Sequence, residues 1–133
     1  MIRLSKWNLD EKRRELVELE NMRDGLRAKV KSLDEEVVRE QETASKSIVV
    51  NLYGSYARAV IDRRDNLERS IAEIDLLVES KKDEVSIAFQ ELKKFEIARD
   101  RDAEKERYKQ ERKDQTRLDD VATDMFRRSQ KTG

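Results

Sequence analysis

One apolar line through the middle of the sequence limits what the chain can become. Steps of four and three residues, taken alternately, land on Tyr53, Ala57, Val60, Arg64, Leu67, Ile71, Ile74, Val78, Lys81, Val85, Ala88, Leu92 and Phe95; eleven of these thirteen positions are apolar or aromatic. A 3,4 alternation is the heptad pattern. It places a narrow apolar seam on one helix and requires a second helix to cover it.

The covering helix is sought in the N-terminal third. There a second heptad series has one set of seam positions at Leu9, Leu16, Arg23, Val30, Val37 and Ala44 and the other at Lys12, Leu19, Leu26, Leu33, Glu40 and Ser47; eight of these twelve are apolar. The run Thr43-Ala44-Ser45-Lys46-Ser47 interrupts the series with small hydroxylated residues, which are poor in helix interiors and good at helix ends. The sequence therefore predicts an all-α fold, an antiparallel two-helix coiled coil. Helix 1 is expected at about 4–43, the reversal at about 44–52 and helix 2 at about 53–127, all in one domain. Ser5 or Asn8 is a candidate cap for the first helix. The competing reading is a generic scaffold, one continuous helix that dimerises in parallel.

Composition favours the rod. Charged residues make up 45% of the chain and apolar ones 36%, too little apolar material for a layered globule but enough for one seam. No proline interrupts a helix, and the sustained heptads argue against disorder. Gly25 lies off the seam and is tolerated at a cost of about 1 kcal/mol.

If the chain folds back on itself, facing residues have numbers that sum to about 98. Arg64 is then expected to face Glu35, Arg23 to face Asp75, and Lys81 to lie near Glu18. All three of these cations would meet an acid and so fix the register. Helix 1 runs out opposite Phe95, so helix 2 has an overhang. Residues 99–117 are polar nearly all round and mix attractive pairs such as Glu104–Arg107 with repulsive ones such as Asp100–Glu104. Then Leu118, Val121, Ala122 and Met125, with Phe126 beside them, form one amphipathic face that nothing in the chain is placed to bury. Trp7, the only tryptophan, is expected to pack on the other helix, the alternative being that it faces a partner.

Much chemistry is excluded. With no histidine or cysteine, the usual general base, disulfides and thiolate metal sites are missing. No glycine-rich phosphate loop exists, and paired acids such as Glu35-Glu36 read as solvated surface. The expectation is no enzyme, no catalytic residues, no cofactor and no metal. Thirty bases against thirty acids remove the main warrant for nucleic-acid binding. No stretch reaches the roughly 20 apolar residues of a membrane span, and Lys6, Asp10, Glu11 and Lys12 break up any leader-like apolar run.

In layout, and in the segment ERKDQTRLDDVATDMFRR at 111–128, the chain resembles the FliJ-like flagellar export proteins and the related stalk proteins of type III secretion systems. Leu118-Asp119-Asp120-Val121-Ala122 followed by Arg127-Arg128 matches the family's acidic-hydrophobic motif with its basic end. The Leu16-x-x-Leu19 heptads and the aromatic pair Tyr53 and Tyr56 near the reversal also fit. The resemblance implies a stalk, monomeric when alone, cytoplasmic and peripheral to the inner-membrane export apparatus. Its joined ends would enter a hexameric export ATPase, the surface toward the reversal would meet the cytoplasmic domain of the export gate, and export chaperones are further partners that the resemblance suggests. Carried over by position, Leu118, Asp119, Val121, Met125 and Arg127 would face the ATPase, and Tyr53, Tyr56 and Val60 the gate. Glu36 and Glu40 stand where family members often have further aromatics.

Overall fold

The computed structural model describes the backbone of residues 1–45 and 50–132 and the side chains of 1–43 and 54–131. Two helices account for it: α1 (Ile2–Ser45) and α2 (Val50–Thr132). α1 is 44 residues long and α2 83, or ~66 Å and ~125 Å at ~1.5 Å per residue. Both begin earlier and end later than the sequence pattern suggests, because helix propensity carries past the last seam residue when no proline stops it. Ser5 and Asn8 consequently lie inside α1 rather than at its cap; the first turn is closed by the Ser5 N–H donating to the Met1 carbonyl at 2.9 Å. The expected reversal at 44–52 includes residues 46–49, which lie outside the described residues.

The helices pack on each other in opposite senses. Contacts to rising numbers in α1 come from falling numbers in α2: Lys81 meets Glu15, Asp75 meets Arg23, and Arg64 meets Asp34. The heptad seam is the contact surface. Of the described seam positions on α2, all but Arg64 are buried or half-buried, and Val78 is fully enclosed. Leu9, Ala88 and Leu92 form a buried cluster, with Ile2 and Val85 against it. Ile2 and buried Ser5 extend the α1 seam one heptad further toward the N-terminus than the sequence suggested. Among the described seam positions of α1, Glu40 is the exception, an exposed acid where the packing thins toward the reversal.

Two of the three expected ion pairs change partner. Arg23 does approach Asp75, at 3.8 Å, and Asp75 is shared with Arg27 at the same distance. Arg64, however, bonds Asp34 at 2.7 Å rather than Glu35, and Lys81 bonds Glu15 at 2.7 Å rather than Glu18. The register was right and the rotation was missing. Asp34 and Glu15 occupy the positions immediately flanking the seam, whereas Glu35 and Glu18 point outward, and only flanking positions reach across. Lys81 also pairs with Glu84 at 2.6 Å, and Lys12 stands 3.9 Å from Glu84. The hydrogen bonds to Lys81 hold the Glu15 and Glu84 carboxyls below their ordinary value of 4.5, and the same two bonds raise Lys81 above 10.5.

Trp7 does not pack on α2. It lies opposite the seam on α1 and is 62% exposed; two residues from Ser5 and Leu9 on either side, it is turned about 160° from both. Leu4, three residues earlier, shares that outer face.

Candidate functional site

Among the described residues the cavities are open grooves along helix surfaces, so the candidate sites are faces of helices. The longest bare face is on α2. From Ile97 to Lys131 every described side chain is exposed, because α1 begins at Ile2, opposite about residue 96. Some 36 residues of helix, ~54 Å, therefore have no companion among the described residues. Local pairs support it: Arg107 is 2.8 Å from Glu104 and 4.0 Å from Glu111, and Lys109 is 3.7 Å from Glu106. Gln110 and Gln115 donate to Asp114 and Asp119 at 3.2 and 3.1 Å. Each such pair contributes a few tenths of a kcal/mol, ~0.2–0.5.

At the far part of this bare helix Leu118, Val121, Met125 and Phe126 stand together, Leu118 63% and Met125 66% exposed. With Ala122 between them they make one face. It is turned by about 100° from the side of α2 that α1 covers further up, counted at ~100° per residue. A partner gripping this face would not continue the line of α1. Asp119 sits at the edge of the face. Its carboxylate accepts from Gln115 and its carbonyl accepts from the Thr123 hydroxyl at 2.8 Å. Arg127 is on the opposite side of the helix, about 160° from the centre of the apolar face, so the structure brings Leu118, Val121 and Met125 together and leaves Arg127 apart. Phe126 closes the apolar face on the side toward Asp119, and its periodicity was visible in the sequence.

The second candidate lies toward the reversal. Tyr53 belongs to α2, and its side chain lies outside the described residues. Tyr56 is half-buried beside the seam, and its hydroxyl donates to Glu36 at 3.2 Å. Glu36, the acid standing where an aromatic was expected, is thus the tyrosine's partner. Val60 is half-buried in the seam. Next to it Val37, Val38, Ala57 and Ile61 line an open groove, with the Asp34–Arg64 ion pair at one end. Val38 and Ile61 are exposed and were not singled out from the sequence. The signal that could have found them is that both are β-branched apolar residues off the heptad seam, where a two-helix rod has no use for them. On the described residues no group of acids converges as a metal site, and no helix is long and apolar enough to cross a membrane.

No curated protein and no solved structure matches the chain closely enough to be informative. One family does, described as "Flagellar FliJ protein", and the match runs over residues 3–131, covering the hairpin, the bare helix and the distal face alike. The chain therefore belongs to the flagellar FliJ protein family and is a component of the flagellar export apparatus.

Proposed function

We propose that this chain is the noncatalytic central stalk of the flagellar type III export apparatus, coupling the hexameric export ATPase to the export gate. The observation that carries the reading is the mismatch in helix length: α2 outruns α1 by ~54 Å and bears an unsatisfied apolar face near the far end of that excess. A single helix ~10–12 Å across can enter a ring that a helix pair, roughly twice as wide, cannot. Leu118, Asp119, Val121 and Met125 would meet the inner wall of the ATPase, and Arg127, on the other side of the helix, a second subunit. Tyr53, Tyr56 and Val60, with the groove beside them, would form the gate-facing surface. Escort of export chaperones would use the same exposed helix surfaces.

A one-sided rod in a six-subunit ring favours whichever subunit state its apolar face fits. Its influence on ATP turnover is then allosteric, and its size equals the difference in contact energy between subunit states. The test is the rate of ATP hydrolysis by the purified ATPase with the full chain and with a variant lacking 118–133. Loss of stimulation with unchanged helical content of the hairpin supports the assignment; full stimulation by the shortened chain overturns it.

A further inference from the structure

On the outer face of α2, where α1 ceases to run alongside, Phe89, Ile97 and Ala98 line an open groove together with Lys93, Lys94 and Arg101. Three cations and no acid line it, in a chain whose acids and bases are equal in number. Phe89 and Ile97 are exposed large apolar residues off the heptad seam. Lys93 stands 5.5 Å from the centre of the Phe89 ring and 3.3 Å from Glu96.

The cations continue past the groove. Lys94, Arg101, Lys105 and Arg112 are spaced by seven, four and seven residues, which keeps them within about 40° of one another on a helix turning ~100° per residue. Arg112 lies over the Tyr108 ring at 5.8 Å. Four nearby acids are engaged elsewhere: Glu96 by Lys93, Asp100 by Arg99, and Glu104 and Glu111 by Arg107. Lys94, Arg101 and Lys105 take part in no ion pair among the described residues. Arg101 and Lys105 are like charges at i,i+4, an arrangement that weakens an isolated helix and that an opposing row of acids would reverse.

We propose that this groove and its cation row dock one amphipathic helix of a partner protein, a helix that carries acidic side chains along one edge. Phe89 and Ile97 would take its apolar face, and Lys94, Arg101 and Lys105 its acidic edge. The strip runs along the helix axis for ~35 Å from Phe89 to Arg112, the footprint of helix on helix. A nucleic acid would use the cations but not the exposed Phe89 and Ile97 beside them. A membrane would need an unbroken apolar face, and Asp100 and Glu104 interrupt this one. Two large apolar contacts make a small interface, so the complex is a transient one. The strip lies apart from Leu118–Arg127 and does not depend on that region's role.

The test uses the full chain, isotope-labelled for amide NMR, and two synthetic amphipathic helical peptides of about six turns, identical except that one edge carries Glu in the first and Lys in the second. The Glu peptide is expected to shift amides within 89–112 and to bind about tenfold or more tightly than the Lys peptide. The double variant Lys94→Glu/Arg101→Glu should reverse that preference, and Ile97→Asp should abolish both interactions while circular dichroism stays unchanged. No binding of the Glu peptide, equal binding of the two peptides, or shifts confined to 118–126 would overturn the proposal. So would a single-stranded oligonucleotide or anionic vesicles that bind the strip equally well in the Ile97→Asp variant.

Discussion

Leu92 and Leu118 are the same residue type on the same helix and have opposite surroundings. Leu92 is 7% exposed and packed with Leu9 and Ala88. Leu118 lies on the bare part of α2. Truncating each to alanine removes three carbons. For Leu92 all three leave a buried site, and at ~0.8 kcal/mol per buried carbon the cost is ~2.4 kcal/mol. The seam is only two helices thick, so neighbouring side chains and water fill the gap, and little extra cavity cost is added to that figure. For Leu118 nothing buried is lost, and the cost stays within ~0.5 kcal/mol. Urea unfolding followed by circular dichroism separates the two, with the Leu92→Ala midpoint well below the parent's and the Leu118→Ala midpoint unchanged. In the ATPase assay the order should invert, Leu118→Ala losing stimulation at temperatures where Leu92→Ala is still folded and active. If Leu118→Ala destabilises the free chain as much as Leu92→Ala, the distal face is buried in solution and the bare-helix account fails. If Leu92→Ala costs less than ~0.5 kcal/mol, the seam is not what holds the hairpin together.

The Lys81 cluster predicts a plateau of stability with pH. Glu15 and Glu84 titrate below 4.5 in the fold, so their contribution is present above that value and is lost as pH falls through their lowered values; Lys81 titrates above 10.5, so its contribution is lost as pH rises through its raised value. Melting temperature should fall at both ends, and Lys81→Met should flatten both limbs; an unchanged profile in that variant would refute the linkage. Gly25 sits in the interior of α1, and a Cβ added there meets nothing within 4 Å, so Gly25→Ala should stabilise the free chain by about 1 kcal/mol in urea titration. Light scattering should return the mass of one chain, 15.8 kDa, whereas a two-chain particle would favour the parallel dimer. Trp7 should emit like a solvated indole and be freely quenched by acrylamide, a blue-shifted and protected signal being the contrary result.

The heptads pointed to an all-helical hairpin with a longer second helix, with a parallel dimer as the competing reading. A seam that recurs every 3.5 residues has one way to be buried within the chain, and the count of seam residues on each side dictates where the shorter helix runs out. The register followed too, since facing positions depend only on chain numbering. What needed the tertiary structure was rotation. Whether Arg64 reaches Asp34 or Glu35, and whether Trp7 turns inward or outward, depends on the angle each residue makes with the seam, and a sum of residue numbers carries no angle. The same is true of the candidate sites. The periodicity of Leu118, Val121 and Met125 was legible, but their offset of about 100° from the covered side of α2 becomes fixed only when α1 has packed and defined that side. Val38 and Ile61 become a groove only because two helices bring residues distant in sequence to the same flank, and Phe89 and Ile97, neighbours on one helix, are left as a bare strip beside unpaired cations because α1 ends alongside them.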